Sequence, residues 1–472
     1  MYTHRSTVPF PVLAILLFTS ASSLANVKCG DTISTPTVLD QDLNCAVSPA
    51  LSIMGPGGSL NMNKHTVSCR TQSDTDENIG IVLTGHGARL TDGIISGYYI
   101  GVKVSGNGKH KVTHMKANSK ALMDSKAGFM VMSNNNELGY NLSLTDDAED
   151  GNSNIGFYIE GSNNRFHHNK ATDNGRNGFN LDSSSNNNRL YSNHANNNGN
   201  DGFNINGSNS NMFIRNHAEG NGGDGFDIDT HNSKGGNENS FWFNVANNNK
   251  DDGFDISGDS NKFLSNVANN NKDDGFDINS DGNKFRLNVA HYNDSDGFDV
   301  NGGSHNIFTH NHAKGNGSDG FDVDSSNGKD GNKNNFLLNI ADNNKDDGFD
   351  ISSNDNELRL NVANYNGAGT SETPDNGFFI DGDRNKIVFN SATGNLNNGI
   401  LLINGKHNKI ENNLIKKNKT NGIFIMKDAV SNDIKQNVAL NNPEGDLFDE
   451  NECGMNTWEY NIINMANKDC IK

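Results

Sequence analysis

Aspartate recurs at two fixed places of one short phrase in the middle of this 472-residue chain. The phrase reads Asp-Gly-Phe-Asp, and Ile or Val follows it each time. Carboxylate oxygens are the ligands that Ca²⁺ takes in proteins, and paired carboxylates also carry out glycoside hydrolysis. The first aspartates of the phrase are Asp224, Asp252, Asp274, Asp296, Asp319 and Asp347, and the second are Asp227, Asp255, Asp277, Asp299, Asp322 and Asp350.

The acidic phrase is part of a longer repeat that covers most of the chain. An apolar residue follows Gly in every unit, and from Phe157 onward the gaps between these residues run from 22 to 29. The series is Ile81, Val102, Phe129, Phe157, Phe179, Phe203, Phe226, Phe254, Phe276, Phe298, Phe321, Phe349, Phe378, Ile400 and Ile423. A second series, Asn followed two residues later by Ala, keeps the same step from Asn169 to Ala363. One structural unit is therefore repeated about fifteen times.

The repeat has the pattern of short strands. Apolar and polar residues alternate in Gly-Phe-Asp-Ile, which is the period of a β-strand, and no stripe of helical period occurs. Leucine-rich repeats need a Leu scaffold that is absent, and propeller blades need periods near 40 residues. A period of about 22 residues is enough for one coil of three short strands. The sequence predicts an all-β fold, a single-stranded parallel β-helix of about 15 coils.

Such a solenoid places each residue on its counterpart in the next coil, about 4.8 Å away. Phe then lies on Phe, and the amide of each turn Asn hydrogen-bonds to the Asn of the next coil. The aspartates form two rows in the same way. Alternation turns the second aspartate of each phrase away from the core, so we expect a row of carboxylates along a long, shallow groove.

Composition and charge limit the partners. The net charge is −19 and the pI is about 5.1, which argues against nucleic acid because phosphate contacts need a basic surface. Cations, or neutral or cationic polymers, are the easier partners. Regular spacing of the 25 Phe also argues against disorder. We expect a monomer.

The first 25 residues have the pattern of a secretory signal peptide. His4 and Arg5 precede a short apolar run, and Ser23-Leu24-Ala25 offers small residues at a cleavage site. We expect an exported protein that begins near Asn26, with no membrane-spanning segment after it. Within that protein we expect an N-terminal cap and first coils at 26–78, repeats at 79–440 and a C-terminal cap at 441–472.

Export permits disulfides, and the five cysteines lie only near the ends of the chain. We predict one bridge between Cys453 and Cys470 and another between Cys29 and Cys45, each fastening a terminal cap. A Cys45–Cys69 bridge is the alternative, because sequence alone does not fix connectivity.

Motifs at both ends and the repeats between them carry a resemblance to a known family. The opening is Cys29-Gly30-Asp31-Thr32-Ile33, with Leu60-Asn61-Met62-Asn63-Lys64-His65-Thr66-Val67 after it, and the ending contains Cys453, Trp458 and Cys470. The chain resembles the secreted right-handed parallel β-helix repeat proteins of the pectin-lyase-like superfamily, and within it the branch with NosD-like and "carbohydrate-binding and sugar hydrolysis" repeats. That resemblance implies a right-handed solenoid and a link to carbohydrate. It does not imply one activity, because the superfamily contains lyases, hydrolases, epimerases and proteins that are not enzymes.

The acidic phrase also resembles the Tyr-Gly-Phe-Asp-Pro-His signature of mannuronan C5-epimerases. No copy here has Tyr before the Gly or Pro-His after the Asp, so only the aspartate position carries over. Insertions at 229–240, 324–335 and 366–376 interrupt the repeat and could wall a cleft.

These features support three hypotheses about function. The first is a secreted protein that binds extracellular polysaccharide through the outward aspartates Asp227, Asp255, Asp277, Asp299, Asp322 and Asp350. Ca²⁺ would assist that binding, held by Asp252, Asp255, Asp274, Asp277, Asp296 and Asp299. The alternatives are a polysaccharide lyase, epimerase or hydrolase and a structural surface or wall protein. Because an active site breaks a repeat at one coil and these acidic coils are uniform, binding is favoured over catalysis.

Overall fold

The computed structural model describes residues 23–24, 26–70, 78–119, 126–145, 154–326, 330–367 and 375–471. Residues 1–22 and 25 of the predicted signal peptide lie outside the described residues, as do residues 368–374 of the third insertion. The described chain winds into a solenoid in which each strand pairs in parallel with its counterparts in neighbouring coils. The predicted parallel β-helix is confirmed.

One face of the solenoid, which we call the phenylalanine sheet, stacks eighteen strands of the described chain. Fifteen of them, from Ile79–Thr84 to Asn421–Ile425, carry the repeated apolar residue. The strands are Thr32–Ile33, Leu51–Met54, Ile79–Thr84, Ile100–Val104, Ala127–Val131, Ile155–Ile159, Phe179–Leu181, Phe203–Ile205, Phe226–Ile228, Phe254–Ile256, Phe276–Ile278, Phe298–Asn301, Phe321–Asp324, Phe349–Ile351, Phe378–Ile380, Ile400–Leu402, Asn421–Ile425 and Gly445–Asp449.

Two further columns of strands close each coil. The second sheet contains Ser23–Leu24, Pro36–Val38, Ser59–Asn61, Arg89–Ser96, Lys111–Ser119, Glu137–Gly139, Arg165–His167, Arg189–Tyr191, Met212–Ile214, Ser240–Trp242, Lys262–Leu264, Lys284–Arg286, Ile307–Thr309, Asn335–Leu337, Glu357–Arg359, Lys386–Val388, Lys409–Glu411, Asp433–Lys435 and Thr457–Glu459. The third sheet contains Leu43–Cys45, Thr66–Cys69, Leu142–Thr145, Lys170–Thr172, His194–Asn196, His217–Glu219, Val245–Asn247, Val267–Asn269, Val289–His291, His312–Lys314, Ile340–Asp342, Val362–Asn364, Ser391–Thr393, Leu414–Lys416 and Val438–Leu440. The long strands Arg89–Ser96 and Lys111–Ser119 run from the second sheet into the third.

The core is built from like residues on one another. Phe254 pairs with Phe276 in register, and their rings stack with centroids 4.8 Å apart. A second column of Phe rings stands in the second sheet, where Phe263 stacks on Phe285 at 4.8 Å and meets Phe276 edge-on at 6.4 Å. Offset and edge-to-face contacts of buried rings add to the free energy of burial itself. Two columns of stacked aromatic rings, in edge-to-face contact with each other, therefore fill much of the core inside these coils.

An asparagine ladder runs along the corner between the second and third sheets, as predicted. Asn266 is buried there; its Nδ2 donates to Asn288 Oδ1 at 3.0 Å and to the carbonyl of Phe241 at 2.9 Å. The backbone N–H of Asn244 donates to Asn266 Oδ1 at 2.9 Å. Ser265, just before the ladder, has a φ of 54°, which makes the sharp corner. Each buried amide satisfies the backbone groups that the corner would leave unpaired.

Both predicted disulfides are present near the ends of the chain. Cys29–Cys45 joins Cα atoms 5.5 Å apart, and Cys453–Cys470 joins Cα atoms 6.0 Å apart. The alternative bridge, Cys45–Cys69, is wrong, although these two residues lie opposite each other in neighbouring coils. Cys69 is half-buried, with its sulfur 3.5 Å from Nδ2 of Asn78.

Candidate functional site

The second aspartates of the repeated phrase, which we call the strand aspartates, form a continuous column on the phenylalanine sheet. Each pairs in register with the next. Asn204 precedes the column and Phe379 follows it. The column consists of Asp227, Asp255, Asp277, Asp299, Asp322 and Asp350.

The first aspartates of the phrase, which we call the turn aspartates, support the backbone of neighbouring coils. The N–H of Asp274 donates to Oδ1 of Asp252 at 2.7 Å, and the N–H of Asp296 donates to Oδ1 of Asp274 at 2.7 Å. The same bond joins each coil to the next along the column of Asp224, Asp252, Asp274, Asp296, Asp319 and Asp347. In this column Oδ1 is committed to the backbone, and Oδ2 is the oxygen left for another partner.

The strand aspartates leave the core as the alternation predicts, yet they are more covered than an open groove implies. Asp227 is 8% exposed, and the other five are partly exposed. Counterparts above and below cover each side chain, and polar neighbours in the same coil add to this; Asn279 Nδ2, for example, donates to Asp277 Oδ2 at 2.8 Å. We call the surface formed by the strand aspartates and the turn aspartates, twelve residues in all, the acidic trench.

Several carboxylate oxygens in the trench have no hydrogen-bond partner. They are Oδ1 of Asp227, Asp255, Asp299 and Asp322, all shielded from solvent. Among the residues that the structure describes, none of the twelve aspartates forms an ion pair. Burying a carboxylate oxygen without a partner costs free energy, and the described residues supply no ion pair that would offset this cost.

Burial and the neighbouring carboxylates raise the pKa of these aspartates. Burial, with Asp274 and Asp224 nearby, raises the pKa of Asp252 to about 10. Burial and Asp296 raise the pKa of Asp274 to about 9, and burial with Asp277 raises the pKa of Asp299 to about 8. The trench therefore binds protons near neutral pH unless a cation replaces them.

Carboxylates of adjacent coils converge into clusters that could hold a cation. Asp252, Asp273 and Asp274 each offer an oxygen, and these oxygens lie within 4.8 Å of one another. Asp274, Asp296 and Asp299 form a similar group. Further groups are Asp201–Asp224–Asp227, Asp224–Asp251–Asp252 and Asp319–Asp322–Asp350.

The structure thus brings together four of the six predicted metal ligands in these groups: Asp252, Asp274, Asp296 and Asp299. Asp255 and Asp277 lie in the adjoining strand column, the first with an unpartnered Oδ1. Sequence reasoning missed Asp201, which is buried, and Asp251 and Asp273, which are exposed. The doubled Asp-Asp before Gly253 and Gly275 was the signal that could have found the last two.

Two insertions form shallow polar cavities after strands of the phenylalanine sheet. A cavity of about 450 Å³ is lined by Ser183, His231 and Lys234, among others, where the first insertion follows Phe226–Ile228. A second, of about 280 Å³, is lined by Asp281, His305 and Lys333, among others, beside the second insertion. Hydroxyl, imidazole and amine groups there offer hydrogen bonds that polar ligands use.

Fold and site together define a parallel β-helix repeat protein with one strongly acidic face. The chain belongs to the family described as right handed beta helix region, whose model matches residues 79–244 and 370–471. This confirms the resemblance to right-handed parallel β-helix repeat proteins. In the described part of the chain, none of the helices has the length and apolar character needed to cross a membrane.

Other comparisons give no close relative. No curated protein matches the sequence. Among solved structures, the A-module of a mannuronan C-5 epimerase from Azotobacter vinelandii is 14% identical, with a TM-score of 0.31, and the match covers 88% of this chain and 87% of that one. The Dettilon tailspike protein is 12% identical, with a TM-score of 0.38 and coverage of 69% and 59%. A periplasmic alginate epimerase is 10% identical, with a TM-score of 0.26 and coverage of 81% and 77%.

Proposed function

We propose that this protein is a secreted carbohydrate-binding protein whose acidic trench holds divalent cations, Ca²⁺ first among them, which help it to bind extracellular polysaccharide. The observation that carries the proposal is the trench itself: two stacked columns of aspartates without an ion pair among the described residues, and four shielded oxygens without a partner. Two disulfides are consistent with export.

Electrostatics favours an occupied trench. Unit charges about 4.8 Å apart repel by about 0.9 kcal/mol even at the dielectric constant of water, and by more where water is excluded. Protons or cations must offset this repulsion. The oxygen-only donor set with irregular geometry suits Ca²⁺, which takes six to eight oxygen ligands in flexible arrangements.

The link to carbohydrate follows from the partial exposure of the same oxygens. A cation bound by Asp252, Asp273 and Asp274 would have two buried ligands and one exposed ligand, so part of its coordination sphere would face solvent. Sugar hydroxyls and carboxylates are oxygen ligands that can complete such a sphere. The uniform acidic coils repeat this arrangement along the solenoid, which supports binding of a long polymer rather than turnover at one point.

The test is calorimetric titration of chelator-treated protein with Ca²⁺, followed by binding of immobilised polysaccharides with Ca²⁺ or with chelator. We expect several Ca²⁺ ions per chain and polysaccharide binding that chelator abolishes. Double replacement Asp277→Asn with Asp299→Asn should weaken both. The control, Asp259→Asn with Asp294→Asn, makes the same charge change outside the trench and should weaken neither. Absence of Ca²⁺ binding would remove the cation from the proposal, and absence of polysaccharide binding would leave a structural role.

A further inference from the structure

A cluster of aromatic and basic side chains lies at the corner between the second and third sheets, in coils that precede those of the acidic trench. Tyr140 occupies the corner position with its side chain 51% exposed. Its ring stacks on His114 with centroids 5.2 Å apart and on His168 with centroids 4.8 Å apart. Three successive coils thus present one continuous stack of flat rings to solvent.

A second pair of rings adjoins this stack on the second sheet. His167 stacks on Tyr191 with centroids 5.2 Å apart, and its edge meets Tyr140 at 5.3 Å. The guanidinium of Arg165 lies 4.9 Å from the centre of the Tyr191 ring, and Nη2 donates to the Tyr191 hydroxyl at 2.5 Å. We call His114, Tyr140, Arg165, His168 and Tyr191 the corner platform.

The platform carries positive charge on a protein with a net charge of −19. Arg165 is exposed and lies in register with Arg189, while Lys170 stands in the third sheet of the same coil. Within the described ranges these three cations form no ion pair. Glu137 is already engaged, because its Oε1 lies 3.2 Å from Lys111 Nζ and 3.2 Å from His167 Nε2.

The platform also differs in composition from the corner of the later coils. Further along the chain the corner position of Tyr140 is taken by Ser192 and Arg215, and the position of Tyr191 is taken by Ile214. The corner of the later coils carries other residues, such as Phe243, Ser265 and Leu287, and Trp242 stands at the position of Tyr191 two coils further on, whereas the platform brings Tyr, His and Arg together. Exposed side chains grouped in this way on a rigid scaffold point to a functional role, and the stacked rings and the cations beside them suit the binding of an anionic ligand.

We propose that the corner platform is a second binding site, independent of metal, for a polysaccharide that carries carboxylate groups. An arginine guanidinium binds carboxylate with two parallel hydrogen bonds, and Arg165 is fixed by its contact with Tyr191 while the rest of its fork faces solvent. His114 and His168 cover the two faces of the Tyr140 ring, so the 51% of this side chain that is exposed is its edge and hydroxyl, which can hydrogen-bond to a sugar hydroxyl. Positive charge here and negative charge in the trench would orient an anionic polymer toward the corner.

The test uses the full mature chain in chelator, so that the trench cannot contribute a bridging cation. The probe is polygalacturonate, and fully methyl-esterified pectin is the matched uncharged polymer. We expect binding of the acid but not of the ester, with an affinity that falls as salt is added. Arg165→Gln and Tyr140→Ala should each weaken binding at least tenfold, with melting temperature checked in parallel.

The control variant is Arg359→Gln. Arg359 lies over the Phe389 ring at 5.8 Å in a coil without the rest of the platform, so this change removes the same kind of contact between an arginine and an aromatic ring elsewhere. Unchanged affinity in both platform variants, or an equal loss in the control, would overturn the inference. Binding of polygalacturonate that occurs only with Ca²⁺ and is lost in the Asp277→Asn, Asp299→Asn double variant would also overturn the inference, because it would place this polymer in the trench. If the trench bound neither Ca²⁺ nor polysaccharide, we would still expect the corner platform to bind polygalacturonate in chelator.

Discussion

The corner asparagine ladder and the column of turn aspartates meet the same structural need with different chemistry. In both, a side-chain oxygen accepts a backbone N–H from a neighbouring coil, as in Asn244 to Asn266 at 2.9 Å and Asp274 to Asp252 at 2.7 Å. Nδ2 of Asn266 then donates to the next Asn and to a carbonyl. A carboxylate has nothing to donate.

The difference shows which part of the solenoid needs protons or cations from solution and which does not. The amide ladder satisfies its own groups and carries no charge, so its stability needs nothing from solution. The aspartate column performs the same backbone task and leaves one negative charge in each coil. The acidic face therefore depends on protons or cations, whereas the corner does not.

The largest expected effect is a fall in the stability of the chelated protein as pH rises. The pKa of an unfolded Asp is about 3.9. In the folded protein the pKa is about 7 for Asp255, about 8 for Asp224 and about 10 for Asp252, through burial and neighbouring carboxylates. The folded state thus binds more protons between about pH 4 and pH 10, and the free energy of unfolding falls through that window.

Each pKa unit corresponds to about 1.4 kcal/mol, and many carboxylates contribute, so this loss should exceed that of any substitution below. Thermal melting from pH 5 to pH 9 in chelator measures it. Saturating Ca²⁺ should flatten the curve, because cation binding displaces the protons. A melting temperature that stays constant across this range in chelator would contradict the contrast between the two ladders.

A charge placed in the amide ladder should have the next largest effect. Asn266→Asp removes two donated hydrogen bonds and buries a carboxylate beside Asn288 Oδ1, at a site with no solvent exposure. We expect a loss of about 3–5 kcal/mol in the free energy of unfolding at pH 8, with partial recovery near pH 4 as the carboxyl is protonated.

Asn270→Asp is the matched control for that substitution. It makes the same charge change four residues away at an exposed position, and it should cost less than about 0.5 kcal/mol. Chemical denaturation of both variants gives the comparison. Equal losses would show that charge alone, rather than burial within the ladder, sets the effect.

Sequence reasoning was strongest where one residue type marks every coil. Phe254 over Phe276, Asp255 over Asp277 and the ladder through Asn266 were all predicted, because a fixed apolar period and fixed turn residues determine register. Cys29–Cys45 was predicted and confirmed for a related reason, since both residues belong to the first coils.

The covering of the trench and the corner platform could not be predicted in the same way. Alternation shows that Asp227 leaves the core, but it does not show that neighbouring turns leave only 8% of it exposed. Arg165 and Tyr191 are 26 residues apart, and Glu137 and His167 are 30 apart. Because the coils differ in length, such pairs cannot be read from one constant period.

The smallest effect in this comparison should come from making a turn aspartate resemble the amide ladder. In Asp274→Asn the oxygen that accepts the N–H of Asp296 is retained, while a charge facing Asp296 and Asp299 is removed. In chelator at pH 8 we expect a gain of about 1–2 kcal/mol in the free energy of unfolding, because the carboxyl must either take up a proton on folding or be buried as a charge beside its neighbours, and an amide does neither. With Ca²⁺ bound we expect the same substitution to lower the free energy of unfolding, because Asp274 belongs to two of the carboxylate clusters and each would lose a ligand. Asp294→Asn, an exposed aspartate paired with Lys272 at 2.8 Å, provides the control and should respond equally little in both solutions. If Asp274→Asn were destabilising in chelator as well, the carboxylate would be required by the coil itself, and the column would be a structural ladder rather than a charged face held for cations.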